Sequence, residues 1–299
     1  MKIWWNLLLM IGLMACRQEP AELTEMIDPG VSQELAQFRK STYWDVKYNL
    51  SFVIPENKQE AVTGMAEIAW KQGRKEPLIV DFRADSSQII SVALNDKPVA
   101  YRFENEHIVI SHAETWGGEN KVKIAFRAAD QSLNRRDEFL YTLLVPDRAR
   151  TLFPCFDQPD IKALYSLTLD IPEDWTAVAN GKIQEEDVLS RPNRRLIRFQ
   201  ETEPLPTYLF SFVAGKLQRE IYQRDERSIS IYHRETDPKR IAQCPEIAGQ
   251  VLDALAWMED YTGIPYPFAK YDLIIIPGFQ FGGMEHTGAT LYNDGSMFL

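Results

Sequence analysis

Residues 44–52 read Trp44-Asp45-Val46-Lys47-Tyr48-Asn49-Leu50-Ser51-Phe52, and from Val46 onward apolar and polar side chains alternate without a break. Successive side chains of an extended chain point to opposite faces. This period of two therefore puts Val46, Tyr48, Leu50 and Phe52 on one buried face and predicts a strand. The pattern returns over residues 62–70, 78–82 and 122–126, and Asn95-Asp96, Asn105-Glu106 and Asn180-Gly181 supply turn chemistry between such runs. No helix of ordinary length is expected before residue 235. Many strands with no helix to cover them predict an antiparallel, mainly β unit over residues 36–216, built as two packed sheets or one strongly curved sheet.

Beyond it the pattern changes. Residues 228–233 form another strand, and Asp237-Pro238 opens a helical stretch in which Ile247, Val251, Leu255 and Met258 recur at helical spacing. That helix should end at Thr262-Gly263, ahead of Pro265 and Pro267. A buried strand over residues 271–276 follows, then a glycine pair and a short strand at 289–292. Residues 217–299 thus read as the start of a second domain of mixed class. With no terminating cap at Leu299, the chain is expected to be a truncation, whose helix and strand would leave faces uncovered.

The 299 residues are 45% hydrophobic and 11% aromatic, enough for a packed core. The formal charge is -10, from 43 acidic and 33 basic residues, with no dense basic block. Nucleic acid is excluded as a partner on that ground. Residues 1–16 read as an export signal: Lys2, an apolar run from Ile3 to Met14 too short to span a bilayer, then Leu13-Met14-Ala15-Cys16. That ending resembles the lipobox of bacterial lipoproteins. It implies lipidation at Cys16, a tether over residues 17–35, and an exported, membrane-anchored protein of the periplasm or cell envelope. The two remaining cysteines, Cys155 and Cys244, are expected as buried free thiols.

The four histidines offer no metal site. His107 and His112 lie an odd number of residues apart in a strand-like run and so face opposite ways, His233 is isolated, and H-E-x-x-H is absent. No serine-nucleophile elbow, phosphate loop or dinucleotide turn is found either. What remains is Gly282-Gly283-Met284-Glu285-His286, after one buried strand and before another. Glycines allow a foreign backbone to approach and pair as an added strand, and a carboxylate at the end of that track suits a peptide's terminal ammonium. The same five residues read equally as a Gly-Gly bend carrying a surface glutamate, the commoner case.

Three segments carry a family resemblance. Arg150-Thr151-Leu152-Phe153-Pro154-Cys155-Phe156-Asp157-Gln158-Pro159 resembles the R-x-x-F-P-C-F-D-E-P signature of the aminopeptidase N-like zinc metallopeptidases, the gluzincin aminopeptidases. Residues 208–215 resemble the strand closing their first domain, and Gly282–His286 is similar to their G-x-M-E-N exopeptidase motif. The order and spacing match over residues 42–299. The resemblance implies a saddle-like β-sandwich followed by the truncated start of an α+β thermolysin-like catalytic domain. It further implies Zn2+-dependent removal of the first residue from peptides with a free amino terminus. Carried over residue by residue, Glu285 would bind the α-amine, and Gly282, Gly283 and Met284 would hold the peptide backbone. The Phe153–Pro159 segment would be structural.

Catalytic residues and zinc ligands would lie beyond Leu299, so the 299-residue chain by itself is expected to be inactive. His286 stands in place of the usual Asn and would bring an imidazole that titrates near neutrality. Leu143, fourteen positions before Asp157, stands where a second amine-gripping Gln or Glu is common. The competing expectation is a non-catalytic lipoprotein that uses this domain as a binding or scaffold module.

Overall fold

The computed structural model describes residues 26–188 and 192–298; the expected export signal, Cys16 and Leu299 lie outside them. Strand Trp44–Val53 forms as its alternation predicts, with Val46, Tyr48, Leu50 and Phe52 all buried. It sits inside an eight-stranded sheet. In spatial order the strands are Ile183–Val188, Arg194–Phe199, Leu164–Pro172, Trp44–Val53, Thr63–Gln72, Gly118–Arg127, Ile89–Leu94 and Lys97–Pro98. One neighbour departs from the antiparallel expectation: Trp44–Val53 and Leu164–Pro172 run parallel. They are far apart in sequence, so no hairpin dictates their direction.

A four-stranded sheet (Thr176–Ala179, Phe212–Gly215, Phe139–Thr142, Leu133–Arg135) and a three-stranded one (Leu78–Asp81, His107–Ile110, Arg102–Glu104) complete the front unit. The apolar faces of these sheets share one core. The Phe153–Pro159 segment lies in the seam. Phe153 and Phe156 are fully buried, and Cys155 exchanges both backbone hydrogen bonds with Asp81, at 2.8 and 3.0 Å. Tyr48 ties the segment to the large sheet, its hydroxyl accepting the Phe156 N–H at 2.9 Å while its ring meets Phe153 edge-on. The segment is structural, as the resemblance implies.

Two expectations need correction. A ten-residue helix, Gln33–Thr42, precedes the first strand, capped by the Ser32 hydroxyl. Its burial rests on few apolar side chains, Leu35 and Phe38 against Ile79 and Val109, together with one buried charge at Arg39. Periodicity is a poor detector of such a helix. With Ile27 also packed there, the folded part begins before the expected end of the tether at residue 35. The second correction concerns Asn180-Gly181, which is not a hairpin turn. It is the corner where the chain leaves the four-stranded sheet after Ala179 and enters the eight-stranded sheet at Ile183. Asn95-Asp96 and Asn105-Glu106 do make turns, with positive φ at all four residues.

The second unit is a five-stranded mixed sheet in the order Gln218–Arg224, Arg227–His233, Asp272–Ile276, Ala289–Asn293, Gly283–Met284. The helical stretch divides into Pro238–Ile241 and Cys244–Thr262, the latter closed by Gly263 at φ +67°. Ile247, Ala248 and Leu252 pack on the sheet, whereas Trp257, Met258 and Tyr261 are exposed. A separate apolar cluster joins the two units: Tyr141 and Val213 from the four-stranded sheet, with Leu143 just after its strand, meet Ile274, Phe279, Met284 and Leu291. Among the described residues no helix is long and apolar enough to cross a membrane.

Candidate functional site

The strand Gly283–Met284 is one edge of the mixed sheet, opposite the Gln218–Arg224 edge, and pairs antiparallel to Ala289–Asn293 with Gly283 opposite Tyr292 and Met284 opposite Leu291. The Asn293 N–H donates to the Gly282 carbonyl at 3.1 Å. Residues of an antiparallel strand bond alternately inward and outward. Gly282 and Met284 therefore turn their backbone groups to the neighbouring strand, and Gly283 turns its N–H and C=O out of the sheet. Of Gly282, Gly283 and Met284, it is Gly283 whose backbone groups point out of the sheet edge. Met284 sends its side chain into the apolar cluster between the two units.

Glu285 follows at once. The His286 N–H donates back to the Met284 carbonyl at 2.9 Å, making Glu285 the middle residue of a three-residue turn. Its side chain is exposed and makes no ion pair among the described residues. Beside it lies a hollow of about 400 Å³ walled by Tyr266, Phe268, Tyr271 and Tyr292. The sheet edge, the outward Gly283 and the unpaired carboxylate thus occur together, in the order that strand addition of a peptide with a charged head requires.

His286 is wholly buried, and neither ring nitrogen has a hydrogen-bond partner among the described residues. Burial pulls its pKa down to about 3, so the ring is neutral near pH 7. The expectation of a near-neutral titration at this position is thereby overturned. Leu143 is buried in the same apolar cluster as Met284 and supplies an aliphatic wall, with no acceptor for an amine.

The loop after Glu285 is held from two sides, which sequence reading missed. From within the second unit the Lys270 ammonium donates to the Gly288 carbonyl at 2.7 Å and to Asp272 at 2.9 Å. From the front unit the Asn180 amide donates to the Thr287 carbonyl at 2.9 Å. A buried Asn at a corner is the only sequence signal for the second contact.

Among the described residues no group of three His, Cys, Asp or Glu side chains is placed to hold a metal ion. His107 sits against Asp81 in the front unit, His112 is exposed, and His233 packs on Phe298. These residues do not fit a zinc ion. Cys155 and Cys244 are buried free thiols, as expected.

Residues 46–209 match the Peptidase M1 N-terminal domain, and residues 248–299 match the Peptidase family M1 domain. Among curated relatives, the chain is 30% identical over 176 residues to "Aminopeptidase M1" of Arabidopsis thaliana, covering 58% of this chain and 20% of that one. It is 31% identical over 198 residues to "Aminopeptidase N" of Streptomyces lividans, covering 64% and 21%. With "Glutamyl aminopeptidase" of Rattus norvegicus the identity is 24% over 240 residues, covering 79% and 25%. The matched part spans about a fifth to a quarter of the length of these relatives.

Proposed function

This chain belongs to the M1 peptidase family, and from that premise we propose that it is the front part of a zinc-dependent aminopeptidase whose Glu285 anchors the free amino terminus of a peptide. The observation that carries the reading is the conjunction at the sheet edge: an outward-facing Gly283 followed directly by the exposed, unpaired carboxylate of Glu285. A peptide adding to that edge would run antiparallel to residues 283–284 and bring its terminal ammonium to the glutamate. The attraction strengthens as water is displaced from around the pair. Such an anchor measures one residue from the free end, which is what an exopeptidase needs. The aromatic hollow beside Glu285 would receive an apolar first side chain.

Zinc would polarise the scissile carbonyl and activate water, and its ligands would come from outside the described residues. This chain's own part is binding and alignment. The 299 residues alone would turn over no substrate. Anchoring to a membrane through lipidated Cys16 belongs to the same proposal, and a Cys16→Ser protein should lose fatty-acid labelling and move to the soluble fraction.

The test uses the whole protein with an aminoacyl anilide and its N-acetylated counterpart. Acetylation should lower kcat/KM by about a hundredfold or more, and Glu285→Gln should raise KM and lower kcat on the free-amine substrate alone. Equal turnover of the two substrates, or an unchanged kcat/KM in Glu285→Gln, would remove Glu285 from the reaction. A non-catalytic module would show no turnover of either substrate.

A further inference from the structure

Asn180 lies at the corner between two sheets of the front unit, 7% exposed, and uses both ends of its amide. Its Oδ1 accepts the Ser211 N–H at 2.7 Å, and its Nδ2 donates to the Leu209 carbonyl at 2.9 Å. One donor and one acceptor from the same unit fix which way the amide points. The remaining Nδ2 hydrogen goes to the Thr287 carbonyl at 2.9 Å, in the other unit and two residues past Glu285.

The contact also has a hard stop. Gly288 adopts φ +73°, and a Cβ there would stand 2.5 Å from the Asn180 carbonyl oxygen. The loop is thus pulled in at Thr287 and blocked at Gly288, while the Asp272 N–H and Lys270 hold the Gly288 carbonyl from the far side. Upstream, Met284 is fixed in the cluster between the units. Glu285 hangs between these two fixed points on a three-residue turn.

We propose that Asn180 is a positioning residue: from the front unit it sets where Glu285 presents its carboxylate to the peptide amine. This deepens the amine-anchor reading and rests on it. Its consequence is that the front unit takes part in substrate binding through the loop it holds, without touching the peptide at this point. Misplacement of an anchoring group by about 1 Å can cost a hundredfold in rate, so losing the Asn180 amide, which holds the Thr287 carbonyl as well as Leu209 and Ser211, is measurable.

The experiment is a double-mutant cycle in the whole protein between Asn180→Ala and Glu285→Gln, read on a free-amine aminoacyl anilide. Asn180→Ala should raise KM about tenfold, with a smaller effect on kcat. In the Glu285→Gln background the same change should cost under about twofold, because there is no longer a carboxylate to place. A residue that only holds the fold together would cost the same in both backgrounds, and additivity of that kind would overturn the proposal. A KM for Asn180→Ala within about twofold of the parent would overturn it as well.

Asn180→Asp is the second variant: it keeps the Ser211 acceptor and sets a carboxylate oxygen against the Thr287 and Leu209 carbonyls, and hydrogen exchange reports whether the front unit stays folded. This variant should reproduce the KM rise and the collapse of the cycle. Hydrogen exchange on the whole protein gives a second reading: the His286 and Ala289 amides should exchange faster in both variants, with the front-unit strands unchanged. If Glu285→Gln alone leaves kcat/KM intact, the anchor reading and this proposal fall together. If it costs activity while the cycle is additive, only the role of Asn180 falls.

Discussion

The Arg39 guanidinium meets the Asp81 carboxylate edge to edge, Nη1 to Oδ2 at 2.8 Å and Nη2 to Oδ1 at 2.5 Å, and neither side chain is exposed. The pair joins the first helix to the seam of the β unit, where Asp81 also accepts the Asp157 N–H at 2.8 Å. Burial by itself would raise the Asp81 carboxyl. The Arg39 charge and the hydrogen bonds from His107 and Arg39 outweigh burial and hold it at about 2. Arg39→Met takes the guanidinium from a buried carboxylate, leaving it only His107 and the Asp157 N–H, and should cost about 3–5 kcal/mol in urea unfolding at pH 7. A depressed carboxyl adds stability above its unfolded pKa and loses it as pH falls through the folded value. The cost should therefore shrink as pH falls from about 4 toward 2. A loss under about 1 kcal/mol at pH 7 would mean the pair does not hold the helix.

Asp157 behaves in the opposite sense. Burial pushes its carboxyl up to about 6, although it accepts hydrogen bonds from the Arg150 N–H at 3.0 Å and the Thr207 hydroxyl at 2.8 Å. A raised carboxyl stabilises the fold below its unfolded pKa, and that contribution disappears as pH climbs through the folded value. Between pH 4 and 6 the parent chain should lose on the order of 2–3 kcal/mol from this group. Asp157→Asn keeps an acceptor and can donate to the Thr207 oxygen, so it should flatten the slope over that window. Urea unfolding at pH 4.5 and pH 7 compares the two proteins, and an unaltered slope in Asp157→Asn would sink the assignment.

These two carboxylates mark where sequence reading succeeded and where it stopped. The strand at residues 44–53 was legible because one face is buried and the other solvated, which imposes a period of two on the side chains. Gly282 to Glu285 was not decided by its own residues, which fit a Gly-Gly bend with a surface glutamate at least as well; the peptide-edge reading came from the resemblance to the exopeptidase motif. Arg39 was not legible, since a buried charge in a short helix looks like a solvated one until its partner, Asp81, is brought to it by the fold. Asn180 was read as a turn residue for the same reason. Its composition signals a bend, and only the packing of the two units reveals the carbonyl at Thr287. His286 was misjudged because an imidazole's ordinary pKa does not reflect the burial that the fold imposes on its ring.

The join between the units can be loosened without touching the front core. Phe279 is 3% exposed, and its ring meets Tyr141 of the four-stranded sheet edge-on at 5.5 Å. Phe279→Ala should cost about 3–5 kcal/mol, since the rigid sheet on the other side cannot close over the cavity. Because the removed side chain belongs to the joining cluster, the second unit should unfold first. Limited proteolysis during a thermal ramp should then cut within residues 217–298 while the front unit resists. Simultaneous cleavage of both units would show that the cluster is not a separable joint.

The two glycines before Glu285 differ in what the fold asks of them, and that difference separates a bend from a binding edge. At Gly283 an added Cβ would lie 3.2 Å from the Tyr292 ring and 3.3 Å from the Leu291 carbonyl, so the fold itself resists a side chain there. At Gly282 nothing stands within 4 Å of the Cβ position, and the backbone is outside the left-handed region. Nothing in the folded chain requires glycine at 282, so Gly282→Val should leave the stability of the 299-residue chain within about 0.5 kcal/mol of the parent. If a peptide adds to this edge, the valine side chain meets it on approach, and KM in the whole protein should rise about tenfold or more for free-amine substrates. A stable Gly282→Val protein with an unchanged KM would reduce the glycine pair to an ordinary bend and put the peptide track elsewhere on the sheet.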